Sequence, residues 1–498
     1  MSIVAPLQAQ SPAVLSLDIG SSGVRAVLFD AQGRAVEGVG ACVSYAFETT
    51  SDGGSQMDAE RLADCVWRCL DRVTAQMAAL DLRIDAVAVD TFVANVLGVD
   101  AEGRPVTPLT TYADTRAAAD AVALRAELDE DEVHARTGCR LHPSYLPARL
   151  RWYARTQPGV FACVARWLSI GEYLERRLFG ETAVTYSVAS WTGLLHRRAL
   201  MWDAALLSAL SLDTERFSPL TDVDRPRQGL RAPFAGRWPA LRDVPWFPAV
   251  GDGAAANVGS GCVTPRRVAL TVGTTSALRV IVAGAPAAVP PGLWCYRVDR
   301  RRSLLGGALT EGGSVYAWMR ETLRLDGPAV VEATLAEMAP DAHGLTVLPF
   351  WAGERSPGWA GDARAVIQGL SLATTPLEMM QAALEAVAYR LGLVFEQLRA
   401  ETPAEVEVVV SGGALPASPV WLQMVADVLG RPLLVSRVEE TTARGAALLA
   451  LEALGALPTL AAAPTFDGEA VQPDAERHAV YRQAMARQQA LYERLVGS

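Results

Sequence analysis

The sequence predicts an α/β protein of two like halves. Three observations lead there. The N-terminal part runs strand, strand, strand, helix, strand, the layout of a mixed sheet. A turn of glycine and hydroxyl residues between two apolar runs, Gly20-Ser21-Ser22-Gly23, returns half a chain later as Gly273-Thr274-Thr275. The chain has 498 residues, half hydrophobic and a fifth charged, too many for one ordinary domain and enough for a large core.

Val14 to Ile19 alternates as a strand and contains an acid near its end, Asp18; the next apolar run, to Asp30, is its hairpin partner. Glycines in the turn let backbone approach an anion, and small hydroxyls with consecutive N–H groups then face a phosphate. An acid at the strand end holds the counter-ion, Mg²⁺, through its water shell. A third strand is predicted over 35–45. Gln56 to Leu80 has helical periodicity, with Leu62, Cys65, Val66, Cys69 and Leu70 on one face and Asp58 as N-cap. Ile84 to Val89 is a short buried strand ending at Asp90. Thr91 to Val106 reads as a loop and hairpin, and Tyr112 to Arg116 opens an alanine-rich helix. Residues 130–215 read as mostly helical, their Trp152, Trp167, Trp191 and Trp202 as packing.

The Pro- and Arg-rich stretch 216–248 reads as the connection into the second half. Trp246 to Val250 is a strand running into Gly251-Asp252-Gly253, with small residues Ala254 to Ala256 packed under a site. Val268 to Val280 repeats the opening pattern. Leu304 to Ala308 is a strand, followed by Gly312-Gly313 and a helix from Ser314; Leu345 to Phe350 leads to Glu354-Arg355. Thr375 to Arg399 is a long helix with Pro376 at N1. Val406 to Val410 stops at Ser411-Gly412-Gly413-Ala414 before a helix from about Pro419, which turns N–H groups toward a ligand. Pro432 to Val435 reads as the last strand and Ala443 to Leu454 as the last core helix.

Composition narrows the function. A net charge of −10 argues against non-specific nucleic-acid binding, which needs clustered Lys and Arg. The seven cysteines are scattered and odd in number, so neither a disulfide framework nor a zinc knuckle is expected. His134, Cys139 and His142 lie close in sequence, but no second cluster completes four ligands. Residues 1–12 read as a disordered lead-in without the basic and apolar regions of a signal peptide, and no apolar run has membrane-spanning length. A soluble, cytoplasmic protein is expected. A P-loop, a dinucleotide fingerprint and a nucleophile elbow are all missing from the sequence.

Four segments, DIGSSGVRAVLFD, GDGAAANVGSG, LTVGTTSAL and VVVSGGALPASPVWLQMVADVLGRP, resemble the FGGY carbohydrate kinases of the actin-like ATPase superfamily, over about residues 14–455. The resemblance implies two ribonuclease-H-like domains flanking a deep catalytic cleft. It places an N-terminal, sugar-binding domain with the first phosphate loop at 1–248. A C-terminal domain with the second phosphate loop and the adenosine site would take 249–498. It implies ATP and Mg²⁺ as cofactors and a small-molecule sugar or sugar acid as partner. It implies no nucleic acid or membrane and allows a homodimer. Asp252 matches the catalytic base and a group near the metal, and Asp18 the acid that holds Mg²⁺. Ser21, Ser22 and Arg25 match the first phosphate loop, and Gly273 and Thr274 the second. Gly313, Gly413, Ala414 and Ala417 match positions lining the nucleotide.

Within the family, TTYADTR, TGCRLHPSYLPARLRW, YSVASWTGLL and LPFWAGERSPGW are most similar to gluconate kinases. Ser144 and Tyr145 fall near a polyol contact. Gluconate and pentulose kinases usually carry a Met-His pair whose His touches substrate; Val93 and Ala94 stand here, followed by Asn95 as the candidate contact. The likeness of these segments makes gluconate the first acceptor expected, and the missing His opens xylulose, another ketose or a polyol as the alternative. Glu354 and Arg355 are expected to brace the cleft. A nucleotide-switched, non-catalytic actin-like protein is the alternative from another class. A chaperone of that kind needs a peptide-binding module and a repressor a basic arm, and residues 1–13 contain no Lys or Arg.

Overall fold

All six residues of Val14–Ile19 (β1) are buried, as a strand enclosed on both faces requires. The structure, a computed structural model, describes residues 2–496. Gly23–Phe29 (β2) and Ala35–Ser44 (β3) continue from β1 as an antiparallel meander. The helix Ala59–Ala79 (α1), with the Asp58 carboxylate accepting from Arg61 N, then carries the chain over to Ala86–Thr91 (β4), parallel to β1. Trp246–Gly251 (β5) lies beside β4, giving the sheet order Ile3–Val4, β3, β2, β1, β4, β5.

Two expectations are corrected here. The lead-in is ordered: Ile3–Val4 pairs in parallel with Ala35–Val36. The division at 248/249 runs through β5, a strand of the first sheet, because hydrogen bonding to β4 outranks its adjacency to the second half. The turn into the second half comes after the short helix Asp252–Gly259 (α2).

The second sheet repeats the plan. Arg267–Val272 (β6) and Ser276–Ala283 (β7) form the hairpin, Trp294–Arg297 (β8) and Arg302–Leu309 (β9) extend it, and Glu407–Ser411 (β10) and Leu433–Ser436 (β11) add in parallel to β6. The order is β8, β9, β7, β6, β10, β11, and then Asp467–Val471 (β12), an antiparallel edge strand after the one expected to be last. In both sheets an antiparallel hairpin closed by a phosphate-type turn is followed by two strands parallel to its first, which is the duplication the paired turns announced. The helix Thr441–Ala453 (α3) follows β11 as α2 follows β5.

Helices α2 and α3 cross between the two sheets at backbone contact. A Cβ on Gly259 would lie 1.7 Å from Thr441 O, and one on Gly445 1.8 Å from Ala255 O. Ala254, Ala255, Val258, Ala443, Ala446 and Ala447 fill this layer together with Val14 and Ala88 of the first sheet. Small side chains there let two domains share one core.

Between β4 and β5 the chain makes a largely helical excursion. Its longer helices are Ala118–Glu127, Glu130–Thr137, Leu146–Thr156 and Ile170–Phe179, the last with a Ser169/Glu172 capping box. The first of these starts later than expected, because Asp114 is engaged by Arg116 at 2.6 Å. The excursion docks on the second half: Cys295 N donates to Gly138 O at 3.0 Å and Arg297 N to Ser190 Oγ at 2.8 Å. No helix among the described residues is long and apolar enough to cross a membrane.

Candidate active site

Parallel register gathers three acids at one edge of the first sheet. Asp18 is opposite Asp90, and Asp90 is opposite Val250, two residues before Asp252. The carboxyl ends of parallel strands are where α/β sheets bind ligands. Asp18 is 4% exposed, with Arg25 Nη1 at 3.5 Å from its Oδ2. Asp90 is fully buried, and neither of its oxygens meets a donor. Burial, then the Asp18 charge, pushes the Asp90 carboxyl well above the usual carboxylate range, so it holds the proton of the pair. Burial raises Asp18 too, against the opposing effects of Asp90 and Arg25.

Asp252 stands at the N-terminus of α2 and on the wall of the cleft. Its Oδ1 accepts from Gly253 N at 2.7 Å. Burial lifts its carboxyl to about 7; the Gly253 N–H and Arg279 oppose that rise and Asp18 adds to it.

The first turn closes the β1–β2 hairpin of one half and the second turn the β6–β7 hairpin of the other. In the first, Gly20 N donates to Gly23 O at 2.9 Å, the Tyr45 hydroxyl donates to Gly20 O, and Ser21 and Ser22 are exposed. Arg25 projects from β2 between Asp18 and Glu440, 3.9 Å from the latter. In the second, Gly273 N donates to Thr275 O at 2.9 Å and Thr274 is exposed. Gly313 N donates to Gly273 O at 2.7 Å, and a Cβ on Gly313 would lie 3.3 Å from Ala414 Cβ. Gly413 borders open space, and Ala417 N donates to its carbonyl at 3.2 Å. Gly273, Gly313, Gly413, Ala414 and Ala417 thus meet on one lip of the cleft.

Beside the second turn lies a cavity of about 290 Å³, lined from both halves. Val93, Ala94, His142, Ser144, Tyr145 and Trp191 come from the first half, and Arg279, Tyr296, Arg355 and Trp359 from the second, with Asp252 between them. Buried Arg149 fixes the first wall by donating to the carbonyls of Thr111 (3.1 Å), Ser144 (3.0 Å) and Ala94. Ser144 Oγ is 3.0 Å from His142 Nδ1, and the Tyr145 and Tyr296 hydroxyls are hydrogen-bonded. Burial pushes His142 down to about 3, so it is neutral.

Asn95 is not in this cavity. Its Oδ1 accepts from Ile170 N at 2.7 Å and its Nδ2 donates to Phe92 O, so it ties a loop to a helix instead of facing a substrate. Trp191, read as packing, stacks on Tyr296 with centroids 3.6 Å apart and forms cavity wall. Glu354 does brace: it holds buried Arg390, and its Oε2 accepts from the Tyr492 hydroxyl at 2.8 Å. Arg355, paired with it in expectation, instead turns into the cavity. Asp90, Arg279 and Tyr296 went unread as site residues. Asp90 alone left a local signal, an acid ending a buried strand.

Comparison with known proteins gives the family. The N-terminal domain of the FGGY family of carbohydrate kinases matches residues 13–259 and its C-terminal domain residues 268–454. The gluconokinase of Bacillus subtilis (strain 168) is 27% identical over 453 residues, 89% of this chain and 88% of the relative. The crystal structure of gluconate kinase from Lactobacillus acidophilus superimposes with a TM-score of 0.90 at 25% identity, covering 98% of each chain. Ligand-bound xylulose kinase from the same organism gives 0.91 at 25% identity, covering 98% of this chain and 99% of that one. The chain therefore belongs to the FGGY family of carbohydrate kinases and is a phosphotransferase with an alcohol group as acceptor.

Proposed function

We propose that this kinase transfers the γ-phosphoryl group of ATP to a hydroxyl of a sugar acid of the gluconate type. The observation that carries the reading is the position of Asp252, at the start of α2 and on the wall of a sugar-sized cavity that Thr275 of the second turn also lines. A carboxylate there orients the acceptor hydroxyl and takes its proton, a contribution of roughly 10²–10⁴-fold. Ser21, Ser22 and Arg25 meet the phosphates from one side and Gly273 and Thr274 from the other. The lip of Gly313, Gly413, Ala414 and Ala417 has no side chain larger than a methyl and suits a flat adenine.

The acids also fit a divalent cation. Asp18 and Asp90 lie side by side, and the Asp90 oxygens are buried without a donor. Asp18 would hold Mg²⁺, with Asp252 near it; when bound, the ion offsets charge on the β- and γ-phosphates.

Arg355 supports an acid as acceptor. Its Nη2 is tied to Leu309 O at 2.8 Å, while its buried Nε has no partner. A cation with a free donor on a sugar cavity suits a carboxylate. A ketose such as xylulose is the second reading, favoured by the space Ala94 leaves on the opposite wall. A coupled ATP-consumption assay across aldonates, ketopentoses, deoxy-ketoses and polyols decides between them. Turnover with gluconate above the neutral sugars is expected. Turnover confined to neutral ketoses or polyols would overturn the sugar-acid reading.

A further inference from the structure

Strand β7 contains one charged residue, Arg279, which is only 9% exposed. Its guanidinium is held from two sides. Nη2 donates to Thr271 Oγ1 at 2.6 Å and Nε to Asn257 Oδ1 at 3.3 Å. Both holders are fixed in turn. The Thr271 hydroxyl is 2.9 Å from Ser411 Oγ, and Asn257 Nδ2 donates to Cys262 O at 3.0 Å. Nη1 has no hydrogen-bond acceptor among the described residues, and it lies 3.7 Å from where a Cβ on Gly253 would sit, on the cavity wall beside Asp252. Asp252 is the acid whose field reaches this guanidinium, yet no ion pair closes between them among the described residues. A guanidinium held on two sides with its third donor open to the cavity is preorganised to meet an anion there.

The place of Arg279 identifies that anion. Asp252 marks where the acceptor hydroxyl loses its proton, so the group that joins this hydroxyl arrives next to Asp252. Thr275 of the second phosphate turn lines the same wall. Building on the kinase reading above, we propose that Arg279 is a catalytic residue whose Nη1 donates to an oxygen of the phosphoryl group in transfer. The bond from phosphorus to the leaving oxygen of the nucleotide breaks, and a bond to the acceptor oxygen forms. The acceptor proton passes to Asp252, and Arg279 stays protonated throughout. Because Thr271 and Asn257 hold the guanidinium beforehand, no reorganisation is needed as charge spreads over the phosphoryl oxygens.

Arg279→Gln and the charge-keeping Arg279→Lys test this. Turnover should fall about 10²–10³-fold in Arg279→Gln, with the acceptor KM and the ADP Kd within about 3-fold of the parent. Calorimetry with ADP and Mg²⁺, with and without aluminium fluoride, reads the same contact without an acceptor. The parent should gain affinity from the fluoride complex and Arg279→Gln should lose that gain, Arg279→Lys keeping part of it. Thr271→Val, which leaves the charge in place, should lose less and covers the case in which Arg279→Gln fails to fold. A raised acceptor KM at unchanged turnover would make Arg279 an anchor for the acceptor and overturn the proposal. So would an undiminished fluoride gain. If no sugar is turned over by the parent, the kinase reading fails on its own assay, while the fluoride arm still decides Arg279.

Discussion

Asp252 meets opposed demands. As a base it must be ionised when the acceptor arrives, yet burial lifts its carboxyl to about 7 in the free protein. The native state therefore keeps a proton that the unfolded chain has released between roughly pH 4 and 7. The stability this group contributes is full below the unfolded value and is lost as pH rises through the folded one. Asp252→Asn should lower turnover by at least about 10²-fold. The same variant should melt above the parent at pH 8, by about 1–2 kcal/mol, and close to it at pH 4. A calorimetric pH series checks the sign; a variant less stable than the parent at pH 8 contradicts the burial argument. Arg355 makes a separate prediction. Arg355→Gln should raise the KM for a sugar acid about 10–100-fold, the weight of one charged hydrogen bond, and leave a neutral polyol nearly unaffected. Equal losses on both would remove the carboxylate role. Asp18, Asp252 and the two turns could be read from short motifs, because each lies beside a glycine at the end of an apolar run. Arg279 left no such signal, and the one Asp90 left, an acid ending a buried strand, did not tell its role, because their meaning comes from neighbours on other elements: Thr271 and Asn257 for one, Asp18 for the other.

At the scale of elements, the crossing of α2 and α3 is the tightest joint between the halves. Gly445→Ala puts a methyl where Ala255 O already sits, at 1.8 Å, and backbone on both sides leaves nothing flexible to yield. The helices must separate, at a cost of about 2–3 kcal/mol. Gly159→Ala, in a short exposed helix with open space around its Cβ position, should change stability by less than about 0.5 kcal/mol. Thermal melting of the two variants side by side is the check, and equal melting points would refute the packing account. The helices themselves were legible: Ala254 to Ala256 announced a tight fit, and Ala443 to Leu454 a core helix. Their crossing was not, since nothing local links Ala255 to Gly445. The same physics misplaced the domain division. Trp246 to Val250 reads correctly as a strand, but only its hydrogen bonds to β4 tell which sheet owns it.

For the whole molecule, the two halves are joined on one side and open on the other. On the joined side the excursion and the second half share backbone bonds, Cys295 N to Gly138 O among them, and His134 Nε2 lies 2.8 Å from Leu293 O. On the open side Arg25, on the strand after the first turn, meets Glu440, just before α3, in a half-exposed pair at 3.9 Å, a contact worth about 0–1 kcal/mol. Such an arrangement closes about the joined side. A kinase that left its phosphates wet would spend ATP on water, so closure should follow acceptor binding and exclude solvent from Asp252. Small-angle scattering should show the radius of gyration unchanged with nucleotide alone and reduced with nucleotide and acceptor together. Arg25→Ala should leave that compaction in place, because so weak a bridge cannot hold the lips apart or together. If scattering stays unchanged with both ligands bound, the cleft is already in its working form. Water would then have to be kept from the phosphates by the acceptor alone, which a cavity of about 290 Å³ with an open lip does not allow.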